Sequence, residues 1–194
     1  WRRIVQEKQL GNVQKLSCAA GYRESRTDHW KQKKELGGGA LYDMGVYSIQ
    51  GARMGAGAEP VAVVSAKTLT SRPEIYKDVD ETTEATLEFP GGVLATIKTS
   101  FGENINYLNI GFDKGELNVR PYQPYAGVRA KSPLGEIYHD YSVPWQQAKQ
   151  MDDDAQAITQ GKAMIAPGEE GLRDIRIVEA IYKAAAAAGQ RVGL

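Results

Sequence analysis

An aspartate and a tyrosine, Asp43 and Tyr47, stand four positions apart directly after a run of three glycines. On a helix this spacing places a carboxylate and a phenol on one face. The carboxylate can orient an alcohol, and the phenol can accept its proton if a nearby cation favours the phenolate, because a free tyrosine has a pKa of about 10. The same residues also suit a structural interpretation, in which Asp43 caps a helix and Tyr47 belongs to the core.

Several common kinds of site are absent from the sequence. No G-x-G-x-x-G motif follows a predicted strand and no P-loop motif occurs, so neither device for holding a nucleotide pyrophosphate is predicted. The two histidines, His29 and His139, lack metal-ligand spacing, and no metal site is predicted. The acidic run 152–154 could hold a cation, but the favoured interpretation is that it complements the N-terminal end of a helix.

Composition excludes further classes of function. The chain has 194 residues with 24 basic and 24 acidic side chains, so it lacks the basic excess typical of nucleic-acid binding. No apolar run reaches the ~18 residues of a membrane-spanning helix. Neither a nucleic acid nor a membrane is therefore a predicted partner. The first residues lack a signal-peptide pattern, and because we expect sequence upstream of Trp1, the compartment, cytoplasmic or periplasmic, stays open.

The elements that must position these residues follow from periodicity. Residues 1–10 followed by Gly11 predict the end of a helix, and 40–56 predict a buried helix. Two-residue alternation and turn residues predict seven strands, at 12–22, 61–70, 82–89, 93–101, 106–112, 116–120 and 136–141. Helices are predicted at 145–160 and 168–188, and the apolar face of the second contains Leu172, Ile175, Val178, Ile181, Tyr182 and Ala185. We predict an α+β fold: a largely antiparallel open sheet of about seven strands with helices packed on one face.

The segment 37–47, GGGALYDMGVY, resembles the G-G-G-x-L-x-D-x-G-x-[HY] signature of the C-terminal domain of the Gfo/Idh/MocA oxidoreductases. Further matches to the glucose–fructose oxidoreductase branch are Trp30, Glu35-Leu36, Arg53, Glu59-Pro60 and the segment 167–174. The resemblance implies that residues 1–11 are the end of a linker helix from a missing dinucleotide-binding domain. Residues 12–194 would then be the C-terminal domain for substrate binding and oligomerisation.

The same resemblance implies a function. An N-terminal Rossmann domain, absent from this chain, would hold NAD or NADP and supply a lysine cation, while Asp43 would orient a sugar or polyol and Tyr47 would be the acid/base. The expected contacts to substrate or nicotinamide are Gly37, Gly38, Gly39, Lys31 and Lys98. The chain is thus predicted to be the catalytic half of an NAD(P)-dependent oxidoreductase acting on a CH–OH group, inactive alone, and a homo-oligomer through the open sheet face. The alternative is a non-enzymatic sheet domain for dimerisation or carbohydrate binding.

Other polar and aromatic residues keep two interpretations. Lys98 could line a substrate cleft or belong to a solvated sheet face, and the charged stretch 23–34 could bind an anion or form a solvated loop. Four aromatic residues could stack on a sugar ring or cover an edge of the core: Tyr107, Tyr122, Tyr125 and Trp145.

Overall fold

The computed structural model describes residues 1–139 and 145–194, and it has nine strands and four α-helices within them. The strands are β1 (Val13–Gly21), β2 (Ala62–Leu69), β3 (Thr82–Glu88), β4 (Leu94–Ser100), β5 (Ile105–Phe112), β6 (Gly115–Val119), β7 (Val128–Ser132), β8 (Gly135–His139) and β9 (Val192–Gly193). The helices are α1 (Arg2–Gln6), α2 (Val46–Ala56), α3 (Trp145–Gln160) and α4 (Gly168–Ala186). A π-helical turn, Leu41–Gly45, leads directly into α2.

All nine strands belong to one sheet in the order β8-β7-β6-β5-β1-β4-β3-β2-β9. Neighbouring strands are antiparallel except β1 and β4, which run parallel. Strand β1 therefore lies inside the sheet, with Leu16 opposite Ala95 on one side and opposite Ile110 on the other. The α+β class and the largely antiparallel sheet are confirmed.

The alternation along the strands separates a buried face from an open one. In β3, Thr83, Ala85 and Leu87 are buried, whereas the residues between them are partly exposed. Ten apolar residues in or directly after β3, β4, β5 and β6 are buried: Ala85, Leu87, Phe89, Ala95, Ile97, Phe101, Leu108, Ile110, Leu117 and Val119. Each large apolar side chain buried in this way contributes about 1.5–3 kcal/mol.

Helix α2 lies close to the sheet because two of its residues lack side chains. A Cβ atom on Gly51 would lie 2.7 Å from Cys18 Sγ, and one on Gly55 would lie 2.6 Å from Leu16 Cδ2. On the same helix the guanidinium of buried Arg53 binds three carboxylates, those of Glu59, Glu170 and Asp174. This cluster fastens α2 to α4.

Two strands were not predicted from the sequence, so the expected number of seven is corrected to nine. Strand β7 buries only Ala130, and β9 has two residues, so neither has a clear alternating signal. The strand predicted at 136–141 is β8, and residues 140–141 of that prediction lie outside the described residues.

The expected apolar face of α4 is only partly right. Leu172 and Ile175 are 50% and 39% exposed. The buried residues of this helix are Asp174, Ile177, Val178, Ala180, Ile181 and Ala184. Asp174 takes the inward position in the first half of the helix because it reaches Arg53, and this turns the two apolar residues outward.

The helix-end interpretation of the acidic run 152–154 is wrong. Helix α3 begins at Trp145, so these aspartates lie in its middle rather than in its first turn. Asp153 accepts a hydrogen bond from the Ile165 backbone N–H, at 2.9 Å. No helix in the two described ranges has the length and apolar character needed to cross a bilayer.

Candidate functional site

The π-helical turn that carries Asp43 is held at its start by another aspartate. Buried Asp80 accepts hydrogen bonds from the Leu41 backbone N–H at 2.9 Å, from Thr83 Oγ1 at 2.7 Å and from the Tyr182 hydroxyl at 2.6 Å. Burial, reinforced by the Asp80 charge, raises the pKa of Tyr182, so its hydroxyl stays a donor. Asp80 thus fills the capping role considered for Asp43, and π-helical turns often occur at functional sites.

The side chain of Asp43 forms an ion pair with Lys31. Lys31 Nζ lies 2.5 Å from Asp43 Oδ2, and the two side chains are 16% and 18% exposed. The same ammonium donates to the Tyr22 hydroxyl at 2.8 Å. Burial lowers the pKa of Lys31, but its hydrogen bonds to Asp43 and Tyr22 outweigh burial and raise the pKa above its usual value. Lys31 is therefore a cation at neutral pH, and the structure brings it together with Asp43.

The glycine run holds the turn of Lys31 against the π-helical turn. The N–H groups of Gly38 and Gly39 donate to the carbonyls of Lys33 and Lys31, both at 2.9 Å. A Cβ atom on Gly38 would lie 2.6 Å from the Lys31 carbonyl oxygen, and one on Gly39 would lie 2.4 Å from Asp80 Oδ1. Gly37, in contrast, has nothing within 4 Å of its Cβ position. The close approach first expected toward a ligand is made here to the chain itself, and contact of these glycines with a ligand stays a prediction.

Tyr47 lies at the start of α2, four residues after Asp43, and it is 37% exposed. This exposure contradicts the core interpretation. The Tyr122 hydroxyl donates to the Tyr47 backbone carbonyl at 2.6 Å, and burial raises the pKa of Tyr122. Within the described ranges, the hydroxyl of Tyr47 itself makes no hydrogen bond, so it can interact with a ligand.

Lys98 lies away from these residues. It alternates with buried Ile97 and Thr99 on β4, so its side chain is on the open face of the sheet. There Lys98 Nζ is 2.8 Å from Glu103 Oε1 and 3.7 Å from Glu84 Oε1. The structure therefore does not bring Lys98 to Asp43, and its position corresponds to the sheet-face interpretation.

The aromatic residues considered for stacking on a sugar ring lie in different surroundings. Tyr122 supports α2, Tyr107 stacks beneath the Arg120 guanidinium at 4.7 Å, and Tyr125 is largely exposed. The side chain of Trp145 lies outside the described residues.

Two residues of the stretch 23–34, Glu24 and Arg26, support the Tyr22 hydroxyl that contacts Lys31, and the sequence did not reveal this support. Glu24 is 2% exposed, and Arg26 binds it through two hydrogen bonds of 2.8 and 2.5 Å. Arg26 lowers the pKa of Glu24 to about 2 against the opposing effect of burial. Glu24 in turn accepts the Tyr22 hydroxyl at 3.0 Å. In the sequence, the charged residues of this stretch are typical of a solvated loop. The one signal for the contact between Tyr22 and Glu24 is that the alternating pattern of the first strand ends at Tyr22, next to this loop.

The described residues form neither a metal site nor a pyrophosphate cradle. No group of three or more potential metal ligands occurs within them. Their only parallel strand pair is β1–β4, and the N–H groups of Gly38 and Gly39 are occupied.

Comparison with known proteins gives this arrangement a family. The model of the GFO/IDH/MocA C-terminal domain matches residues 1–118. The D-xylose 1-dehydrogenase [NADP(+)] of Haloarcula marismortui is 30% identical over 165 residues, which are 81% of this chain and 45% of that protein. The chain thus spans about half the length of this curated relative.

Solved structures share the fold over the whole chain. The aldose-aldose oxidoreductase from Caulobacter crescentus, complexed with glycerol, is 31% identical with a TM-score of 0.89, covering 100% of this chain and 59% of that one. A levoglucosan dehydrogenase, in complex with NADH and levoglucosan, is 18% identical with a TM-score of 0.80, covering 100% of this chain and 61% of that one, and shows likeness of fold alone. By the matching family model and these likenesses, the chain belongs to the GFO/IDH/MocA oxidoreductases, of which it represents the C-terminal domain.

Proposed function

We propose that this chain is the substrate-binding and catalytic half of an NAD(P)-dependent oxidoreductase that acts on a CH–OH group of a sugar or polyol. The single observation that carries the proposal is the ion pair of Lys31 and Asp43 beside the exposed Tyr47. The named activities of the two relatives near 30% identity, a xylose dehydrogenase and an aldose-aldose oxidoreductase, support a sugar as substrate.

The proposed chemistry divides between two side chains. Asp43 Oδ2 is engaged by Lys31, whereas Oδ1 takes no hydrogen bond from the described ranges, so Oδ1 is the atom that would accept a substrate hydroxyl. Tyr47, one helical turn later, would take the proton of the reacting alcohol or return it. Lys31 and Asp43 neutralise each other, which suits an uncharged polyol.

We assign the binding of the cofactor to the segment that precedes this domain in its relatives. We infer that a Rossmann domain there holds the cofactor, since the described residues offer no pyrophosphate cradle. The nicotinamide, when bound, supplies the hydride acceptor. A cation from that domain would favour the Tyr47 phenolate.

The test uses the full-length protein with NAD or NADP and a panel of aldoses and polyols, following the absorbance of the reduced nicotinamide. We expect oxidation by the wild-type protein and its loss in Asp43→Asn. The matched control is Asp28→Asn, because Asp28 pairs with Lys33 on the surface. Full-length protein that neither binds cofactor nor oxidises any member of the panel would favour the non-enzymatic alternative.

A further inference from the structure

The ammonium of Lys31 is surrounded by groups of its own chain. Besides its hydrogen bonds to Asp43 and the Tyr22 hydroxyl, Nζ lies near three aromatic rings, with centroid distances of 5.1 Å to Tyr22, 5.4 Å to Trp30 and 5.7 Å to Phe101. Aromatic faces attract a cation, and more strongly when water is excluded. Together with the hydrogen bonds to Asp43 and the Tyr22 hydroxyl, these contacts fix the position of the charge.

The direction of the hydrogen bonds behind Lys31 follows from Glu24. The Tyr22 hydroxyl donates its proton to Glu24 Oε2 at 3.0 Å, so its oxygen lone pairs accept from Lys31 Nζ. Glu24 is itself held by the Arg26 side chain and by the Arg26 backbone N–H at 2.9 Å. A continuous chain of polar contacts therefore runs from Arg26 through Glu24, Tyr22 and Lys31 to Asp43.

We propose that Lys31, held by Tyr22 and the Glu24–Arg26 pair, is a positioning residue: it fixes one oxygen of Asp43 so that the other receives the substrate hydroxyl. This proposal rests on the proposed function and changes the role expected for Lys31 from direct contact with substrate or nicotinamide to action through Asp43. It also assigns a role in the reaction to Tyr22, which lies nine residues before Lys31.

The two roles differ in their kinetic consequences. A lysine that touches the substrate contributes to binding, so its loss raises KM. A lysine that orients Asp43 affects the alignment of the reacting alcohol, and its loss lowers kcat more than it changes KM. Removing Lys31 also leaves Asp43 as a largely buried charge without its partner, so the carboxylate loses its orientation.

The kinetic test uses the full-length protein with its best sugar substrate. We expect Lys31→Met to lower kcat about a hundredfold, the scale of a misplaced reacting group. Tyr22→Phe should lower kcat about tenfold, the scale of one hydrogen bond to a charged group, and Lys31→Arg should recover part of the loss. The control Lys33→Met removes an exposed ion pair from the same segment and should retain wild-type kinetics. Wild-type kcat in Lys31→Met, or a raised KM with unchanged kcat, overturns the proposal.

A second measurement does not depend on activity. NMR titration of protein labelled with ¹³C at lysine Cε should find Lys31 titrating above the usual lysine range, and Asp43→Asn should lower its pKa because burial then dominates. An unchanged Lys31 titration in Asp43→Asn overturns the positioning role. A wild-type protein that oxidises no sugar overturns the proposed function, while this titration still tests the link between Lys31 and Asp43.

Discussion

Tyr47 is the side chain on which the proposed proton transfer depends most directly, because the residue is exposed and its hydroxyl has no hydrogen-bond partner in the described ranges. Tyr47→Phe in the full-length protein should lower kcat at least about a hundredfold, the usual scale for the loss of a general acid/base. The fold should survive, since only a hydroxyl is removed. Steady-state kinetics measure the loss, with the exposed Tyr125→Phe as control, and wild-type turnover in Tyr47→Phe would assign Tyr47 a structural role.

Glu24 should make the free energy of unfolding of the domain depend on pH in the acidic range. Arg26 holds the pKa of Glu24 at about 2 in the folded state, below the usual value of about 4.3 for the unfolded chain. Ionised Glu24 therefore contributes its full share to the free energy of unfolding when the pH is above the pKa of the unfolded chain. This contribution is lost as the pH falls from about 4 toward 2. Urea unfolding across this range should show a shallower decline for Glu24→Gln than for wild type. Parallel declines would refute this assignment.

At this scale, the sequence identified the residues that share a local pattern and missed those joined across the chain. Asp43 and Tyr47 were predicted because four-residue spacing on a helix is visible in the sequence. Asp80 was missed because it caps a turn that begins 39 residues earlier, with its Oδ2 on the Leu41 N–H. Glu24 was missed because its burial depends on where the loop packs.

The glycine run connects the segment of Lys31 to the π-helical turn, and two of its members, Gly37 and Gly39, should differ in their tolerance of a side chain. Gly39 has φ +115° and a Cβ position 2.4 Å from Asp80 Oδ1, whereas Gly37 has φ +75° and open space. Gly37→Ala should cost about 1–2 kcal/mol of unfolding free energy for the left-handed backbone. Gly39→Ala should cost about 1–3 kcal/mol more because of the collision. Chemical denaturation of both variants measures the difference, and equal losses would show that Asp80 moves aside freely.

The elements themselves were predictable where the signal is local. Strands β3 and β4 show strict alternation around a Pro-Gly-Gly turn, and both were predicted within one residue at each end. The π-helical turn before α2 was not, because its geometry depends on the Asp80 cap and on packing rather than on residue type. Strand β9 exists only through its pairing with β2.

For the whole molecule, the open sheet face is a candidate dimer interface. Its central strands present Thr86 directly opposite Thr96, and threonine packs well on a pleated surface. We expect light scattering at micromolar concentration to give twice the chain mass of 21.2 kDa. Thr86→Lys combined with Thr96→Lys should yield monomers, whereas Ser25→Lys combined with Thr27→Lys adds the same charge on an exposed loop and should not. A wild-type monomer would contradict the prediction, and a dimer that survives the first pair would exclude this face.

The chain alone should also lack tight cofactor affinity. Binding of a pyrophosphate normally requires a glycine-rich turn at a helix N-terminus, and the described residues contain no such free turn. Calorimetric titration of the 194-residue chain with NAD and with NADP should give no micromolar binding. Saturable heat at that concentration would mean that this domain holds the dinucleotide by other contacts.

The parallel pairing of β1 with β4 has a consequence for the order of folding. Leu16 of β1 meets Ala95 of β4 and Ile110 of β5, so β1, which precedes both strands in the chain, must wait for both of its neighbours. Strands β3 and β4 can meanwhile associate through a short connection, as can β5 and β6. Closing two such distant pairings is slow, since long chain segments must be ordered before either contact forms. We therefore expect the insertion of β1 between β4 and β5 to complete the sheet, and a chaperone that shields β1 until both neighbours have been synthesised would act on this step.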